Sequence, residues 1–177
     1  MSTGIVLSHH QKITAVLGDI TLFSGDCIVN AANNSLLGGG GVDGAIHRAA
    51  GPRLLAECKT LHGCETGEAK ITGGYHLPAR HVIHTVGPIY SGAPSDAHLL
   101  ANCYRNSLDL AMRHALHTIA FPSISTGVYG YPLAEAVPVA LRAIREWFAM
   151  HPDYALDVTL ICFDQKTYDT YQACLSR

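Results

Sequence analysis

Short apolar runs alternate with amphipathic segments along most of this chain, and that alternation restricts the fold more than any other feature. Ile13–Leu17, Cys27–Asn30, Ala69–Thr72, His81–Val86, Thr118–Phe121 and Leu156–Phe163 read as strands, each too short for a stable helix. Between them lie helical spacings. Ala45–Ala50 is the first, ended by Gly51-Pro52, and Pro52 opens a second over Arg53–Leu61. A long helix runs through Leu99, Leu100, Cys103, Tyr104, Leu108 and Met112, with Ser95 or Asp96 as its cap. Leu133–Met150 follows, where Pro138 either kinks the first turn or moves the start later. Gln165–Leu175 closes the chain. Residues 1–12 read as a polar N-terminal tail, leaving 13–177 as one domain. Strands that alternate with helices and are mostly apolar runs imply an α/β sandwich with a largely parallel sheet covered on both faces.

In such folds ligands sit at the carboxyl ends of the strands. The loops at those ends are Asp19-Ile20, Asn30–Gly44, Gly87-Pro88, Ser123–Tyr131 and Phe163-Asp164, and they hold the unusual chemistry of the chain. The longest, Asn30–Gly44, contains four consecutive glycines, Gly38 to Gly41, ahead of a helix. Bare N–H groups at a helix N-terminus cradle phosphates. Gly39, Gly41 and Gly44 match G-x-G-x-x-G, but a dinucleotide fingerprint follows its strand tightly and has an acidic strand end about 20 residues on. Here residues 32–38 intervene and Glu57 falls in a helical segment, so the dinucleotide reading fails.

Asp43 sits inside this cradle. A carboxylate repels a phosphate, yet neighbouring negative charge also raises its pKa and makes it a better base for a water. Two readings stand at this point: Asp43 as helix N-cap and Asp43 as base. The second loop, Ser123–Pro132, offers Ser and Thr hydroxyls and glycine amides for a second phosphate, so the two loops together would clamp a pyrophosphate. Tyr129 and Tyr131 either cover the groove or pack on the surface.

Composition removes several function classes. Hydrophobic residues make up 48% and charged residues 15%, as in a globular chain. No apolar run approaches the ~18 residues that span a bilayer, and Met1–Lys12 lacks a signal-peptide core; a cytoplasmic, membrane-free protein is the expectation. Cys27, Cys58, Cys64, Cys103, Cys162 and Cys174 form no C-x-x-C and read as reduced core cysteines, so no structural metal is expected. Net charge is −2 without a Lys/Arg block, which disfavours nucleic acid as a partner.

Five ordered motifs then carry a specific resemblance: Gly18-Asp19-Ile20-Thr21, Asn30-Ala31-Ala32-Asn33, Gly38–Gly44 with Ala45-Ile46-His47, His84-Thr85-Val86-Gly87-Pro88 and Ser125–Pro132. Over residues 13–175 the chain resembles the macrodomain family, most closely its MacroD-like hydrolase branch. The resemblance implies a three-layer α/β/α sandwich with a mixed, largely parallel central sheet, and an ADP-ribose site needing no cofactor. Residue by residue, Asp19 resembles the acceptor for the adenine amino group, with Ile20 beside it, and Phe163 the aromatic that stacks on adenine. Asn33 resembles the asparagine that holds the distal ribose. Gly40, Gly41 and Val42 resemble the loop along the diphosphate and distal ribose, and Ser125, Thr126, Gly127, Val128 and Tyr129 the phosphate loop. Asp43 resembles the catalytic aspartate, assisted by Asn33.

The implied function is a hydrolase that binds ADP-ribose and cleaves its acyl esters, namely O-acetyl-ADP-ribose and mono-ADP-ribose on acidic side chains of proteins. A non-catalytic ADP-ribose reader is the alternative; a phosphatase is a weaker third. Plainer roles are expected nearby: Asp19 as a turn-former, Asn30 as a tie within its loop, His84 as a satisfied core histidine, His47 as structural, and Phe163, taken alone, as core.

Overall fold

The computed structural model describes residues 2–8 and 10–177. Among these, seven strands form one sheet in the order β1-β2-β7-β6-β3-β5-β4. They are β1 (Ser2–Ser8), β2 (Gln11–Leu17), β3 (Cys27–Ala31), β4 (Ala69–Gly73), β5 (His81–Thr85), β6 (Thr118–Phe121) and β7 (Leu156–Cys162). Five helices accompany them: α1 (Gly41–Ala50), α2 (Pro52–Lys59), α3 (Pro94–Arg113), α4 (Leu133–Met150) and α5 (Gln165–Leu175). The pairs β2–β7, β7–β6, β6–β3 and β3–β5 are parallel, and β1 and β4 add antiparallel edges. The sheet is therefore mixed, with a parallel centre.

Side-chain alternation divides the core into two layers. Cys27, Val29, Ile83, Ile119, Phe121, Val158 and Leu160 face α3, α4 and α5. Ile28, Val82, Ala120 and Ile161 face α1 and α2, through Ile46, Leu54 and Cys58. Strands covered on both faces favour near-continuous apolar runs, the pattern visible in most of these strands. No helix among the described residues is long and apolar enough to cross a membrane. All six cysteines are free; five are buried.

Two expectations are corrected. Residues 1–12 are not a tail over their described length: Ser2–Ser8 is an edge strand, and β2 begins at Gln11. Ser2, Thr3, Gly4 and Ser8 hide the strand signal, and an edge strand needs only one partner. Met1 and His9, also assigned to that tail, lie outside the described residues. The cap of α3 is Ala93 with Pro94 first in the helix, and Asp96 instead folds back to accept from the N–H groups of Ser91 and Gly92 at 2.8 and 2.9 Å. Pro138 lies inside α4, whose start at Leu133 is unmoved.

Candidate functional site

The five loops at the carboxyl ends of the parallel strands converge on one cleft of about 830 Å³. It runs from Asp19, Ile20 and Phe163 at one end to Asn33, Gly39 and Asp43 at the other, with Ser123–Tyr129 along the wall between. Asp19, Ile20, Asn33, Gly40–Asp43, Ser125–Tyr129 and Phe163 all line it, whereas Asn30, His47, His84 and Tyr131 do not.

At the first end, Asp19 caps a short 3-10 turn, Ile20–Leu22. Its Oδ1 accepts from Thr21 N at 2.9 Å and from Thr21 Oγ1 at 2.7 Å. It is a turn-former, as the plainer reading held, and it is also exposed to the cleft. Ile20 is buried beneath it. Phe163 follows β7 and is 91% exposed, so it is not a core residue. An aromatic ring in water at a cleft mouth is a ready stacking platform. Asp164 beside it caps α5, and the bond from Thr167 N holds its carboxyl below the usual range.

In the middle, α1 starts at Gly41 from a cap, Gly40, whose backbone is extended and which supplies no side-chain bond. The first N–H groups of the helix thus keep their positive end toward the cleft. Gly44 makes this loop possible: a Cβ there would lie 2.4 Å from the Gly39 carbonyl oxygen.

The second loop differs from its expectation. The Ser125 hydroxyl donates to the Pro88 carbonyl at 2.8 Å. The Thr126 hydroxyl reaches Ser123 O at 3.0 Å and Ser123 Oγ at 2.8 Å. Both hydroxyls are engaged within the protein, that of Ser125 across to the β5 loop and that of Thr126 within its own turn. Ser125 adopts φ +67, a strained value outside glycine. A further clasp runs from Tyr90 N to Tyr129 O at 2.9 Å. Among the described residues, the N–H groups of Thr126, Gly127, Val128 and Tyr129 meet no protein acceptor, so the backbone is what this loop offers an anion. Tyr131 is core, packed on Tyr90 at 4.9 Å between ring centres; Tyr129 stays half-buried on the cleft.

At the far end, Asp43 is the third residue of α1 and not its cap, which removes the capping reading. It is 5% exposed. Its Oδ1 accepts from Asn30 Nδ2 at 2.8 Å, and His47 Nε2 stands 3.5 Å from the same oxygen, too far for a hydrogen bond. Its Oδ2 faces Gly39, where a Cβ would meet it at 3.1 Å and Asn33 Nδ2 at 3.4 Å. Asn33 closes its own turn: Nδ2 donates to Gly38 O at 2.9 Å and Oδ1 accepts from Ser35 Oγ at 2.7 Å. Asn30 and His84, both 0% exposed, lie under the loop as expected.

Arg48 was not anticipated. It lines the cleft, with Nη1 3.1 Å from the place a Gly44 Cβ would take, and it lies one turn beyond Asp43 and Gly44 on α1. Lys166 is the second cation in the lining, next to Asp164. Among the described residues no cluster of His, Cys, Asp or Glu could hold a metal ion.

Comparison with known proteins places this geometry. The Macro domain family model matches residues 29–140. A Macro domain-containing protein of Chlorobaculum tepidum is 58% identical over 165 residues, 93% of this chain and 95% of that protein. The ADP-ribose glycohydrolase MACROD1 of Rattus norvegicus is 58% identical over 166 residues, 92% of this chain but 64% of that longer protein. The solved structure of an Oceanobacillus iheyensis macrodomain with ADP superposes with a TM-score of 0.93 at 46% identity, covering 99% of this chain and 95% of that one.

Proposed function

Because the chain belongs to the Macro domain family, we propose that it is a hydrolase that binds ADP-ribose and releases it from acyl esters, O-acetyl-ADP-ribose and ADP-ribosylated Glu or Asp side chains among them. The observation that carries this reading is the buried carboxylate of Asp43 inside an otherwise amide-lined anion cradle. A loop that only held a diphosphate would gain nothing from that charge. A loop that prepares a water beside the diphosphate does gain. The name of the rat relative, an ADP-ribose glycohydrolase, supports hydrolysis and ADP-ribose as the product.

Each part of the cleft has a task in this reading. Asp19, Ile20 and Phe163 take the adenine. The amides of α1 and of Thr126–Tyr129 hold the two phosphates, replacing the Lys and Arg that this weakly acidic chain does not cluster. Asn33 positions the distal ribose. Asp43, with Oδ1 tied to Asn30, uses Oδ2 to orient a water and take its proton as the water adds to the acyl carbon. The acyl C–O bond then breaks and the ribose oxygen leaves with a proton, giving ADP-ribose and a carboxylic acid. A second route fits the relative's name: on a carboxylate attached to C1 of the distal ribose, attack at the ribose carbon yields the same two products.

Incubation of the protein with O-acetyl-ADP-ribose and with an ADP-ribosylated acidic protein, following free ADP-ribose, tests the reading. Release from either substrate is expected. Binding of ADP-ribose with no release from both would make the chain a reader. In ¹⁸O-water, label in the released acid marks acyl attack, and its absence marks attack at the ribose.

A further inference from the structure

Beneath α1 a line of buried polar groups, none of which lines the cleft, leads up to Asp43. Asn30 on β3 and His84 on β5 are direct partners in the parallel register, and both point into the otherwise apolar layer under α1 and α2. Thr72 on β4, 2% exposed, stands on the far side of the imidazole. From Thr72 Oγ1 to His84 Nε2 is 2.9 Å, from His84 Nδ1 to Asn30 Nδ2 is 3.2 Å, and from Asn30 Nδ2 to Asp43 Oδ1 is 2.8 Å. Four side chains on three strands and one helix thus form one unbroken line.

The proton count along this line has one consistent solution. Asn30 Nδ2 carries two hydrogens, and its neighbours are a carboxylate oxygen and a ring nitrogen. The second hydrogen has an acceptor only if His84 Nδ1 is bare. Burial, with His47 at 6.5 Å between ring centres, pushes the His84 imidazole down to about 3, so the ring is neutral near pH 7 with one N–H. Thr72 Oγ1 accepts that N–H from Nε2 and directs its own hydrogen to Gly73 O at 3.1 Å. The other neighbour of Nε2, the Cys58 thiol at 3.8 Å, is raised to about 11 by burial, with Asp43 adding to the rise, and stays protonated. With the opposite tautomer, N–H would face N–H between His84 and Asn30. Turning the Asn30 amide over would relieve that clash but set its oxygen against Asp43 Oδ1. A buried amide in that arrangement loses a charge-assisted bond and gains a repulsion.

We propose that His84 is a positioning residue for Asp43: held by Thr72 as the Nε2–H tautomer, it fixes the Asn30 amide with its NH₂ toward Oδ1, and so aims Oδ2 at the cleft. This rests on the reading of Asp43 as the group that prepares water. His84 touches neither substrate nor water; its effect passes through Asn30.

The test pairs a spectroscopic readout with kinetics on the whole chain. Imidazole ¹⁵N shifts of His84 are expected to show Nδ1 bare and Nε2 protonated in the wild type, with the other tautomer admitted in Thr72→Val. Thr72→Val and His84→Leu are expected to lower kcat for O-acetyl-ADP-ribose by about 10–100-fold, the scale of a misaimed reacting group. ADP-ribose affinity and KM should stay within about three-fold, since no ligand contact changes. Thr72→Ser should restore kcat, and His84→Asn, which can present an oxygen where Nδ1 stood, should recover more than His84→Leu. Should His84→Leu fail to fold, Thr72→Val and Thr72→Ser carry the test. A protonated Nδ1 in the wild type, or full kcat in folded Thr72→Val, overturns the proposal. A wild type that turns over neither ester removes the hydrolase reading itself, a different result from either of these.

Discussion

The two glycine loops of the cleft, Asn33–Gly41 and Ser123–Tyr131, have the same place in the fold and opposite undersides. Each leaves the carboxyl end of a parallel strand, and a helix follows each. Each turns bare backbone N–H groups to the cleft. Beneath the second, the Ser125 and Thr126 hydroxyls are folded inward, and Ile124 and Tyr131 close the core. Beneath the first lies a buried carboxylate with Asn30, His47 and His84 around it. Holding an anion takes only amides and a rigid underside. Chemistry beside that anion takes side chains that must be aimed and kept from water, and only the first loop has them. Under the proposed function, the comparison separates grip from reaction within one cleft.

The division can be broken most sharply at Asp43. Asp43→Asn should lower turnover of O-acetyl-ADP-ribose by about 10²–10⁴-fold, the usual worth of general-base assistance, while calorimetry shows ADP-ribose affinity within a few-fold. Melting should barely move, because an asparagine oxygen can still accept from Asn30. Equal losses in turnover and affinity would mean that the first loop grips as well as reacts. In the second loop, Gly127→Val should do the reverse. No atom lies within 4 Å of its Cβ position and its φ is not left-handed, unlike Gly41 at +58, so the fold should tolerate the change. The side chain would fill the phosphate's approach and cost about 1–3 kcal/mol of affinity. A variant that melts and binds as wild type would remove the second loop from the site.

Smaller effects sharpen the picture. Asp19→Ala should weaken ADP-ribose by about 1–2 kcal/mol and reduce discrimination against a hypoxanthine analogue, with some loss of melting temperature from the uncapped turn. Unchanged affinity would leave Asp19 as a turn residue alone. Thr126→Val is expected to change affinity by less than about 0.5 kcal/mol, as for a residue away from any contact, since its hydroxyl faces Ser123. A larger loss in titration calorimetry would show that the hydroxyl turns outward to the ligand.

Legibility in the sequence followed the range of the forces involved. Leu133–Met150 and Gln165–Leu175 were readable to the residue because helical spacing and the Asp164 cap on Thr167 are local. The strand at Ser2–Ser8 was not, since its stability comes from pairing with β2 and not from its own pattern. Within the site, the five loops could be found because strand ends are countable along the chain, whereas the roles of their residues came from the resemblance to the macrodomain family. The direction of the Ser125 hydroxyl could not, as it depends on the β5 loop pressing against the β6 loop. Nor could the Asn30–His84 contact, which rests on the register of two strands 54 residues apart. Arg48 left a signal that went unused: it lies one turn past Gly44 on the helix whose start forms the cradle.

The sheet order carries a consequence for how the cleft comes into being. β7 is nearly last in the chain yet lies between β2 and β6. During synthesis the chain emerges from its N-terminus, so the β1–β2 hairpin must wait for residues 156–162 before it can join the other strands. The end that holds Asp43, built on β3, β5 and α1, comes from residues 27–85 and needs no part of β7. The end proposed to take adenine, with Asp19 after β2 and Phe163 after β7, closes only when β7 enters between β2 and β6. A nascent chain stalled before that strand would hold Asp43 and its cradle without the base-binding end. The capture of an adenine nucleotide would therefore report that the last strand has docked.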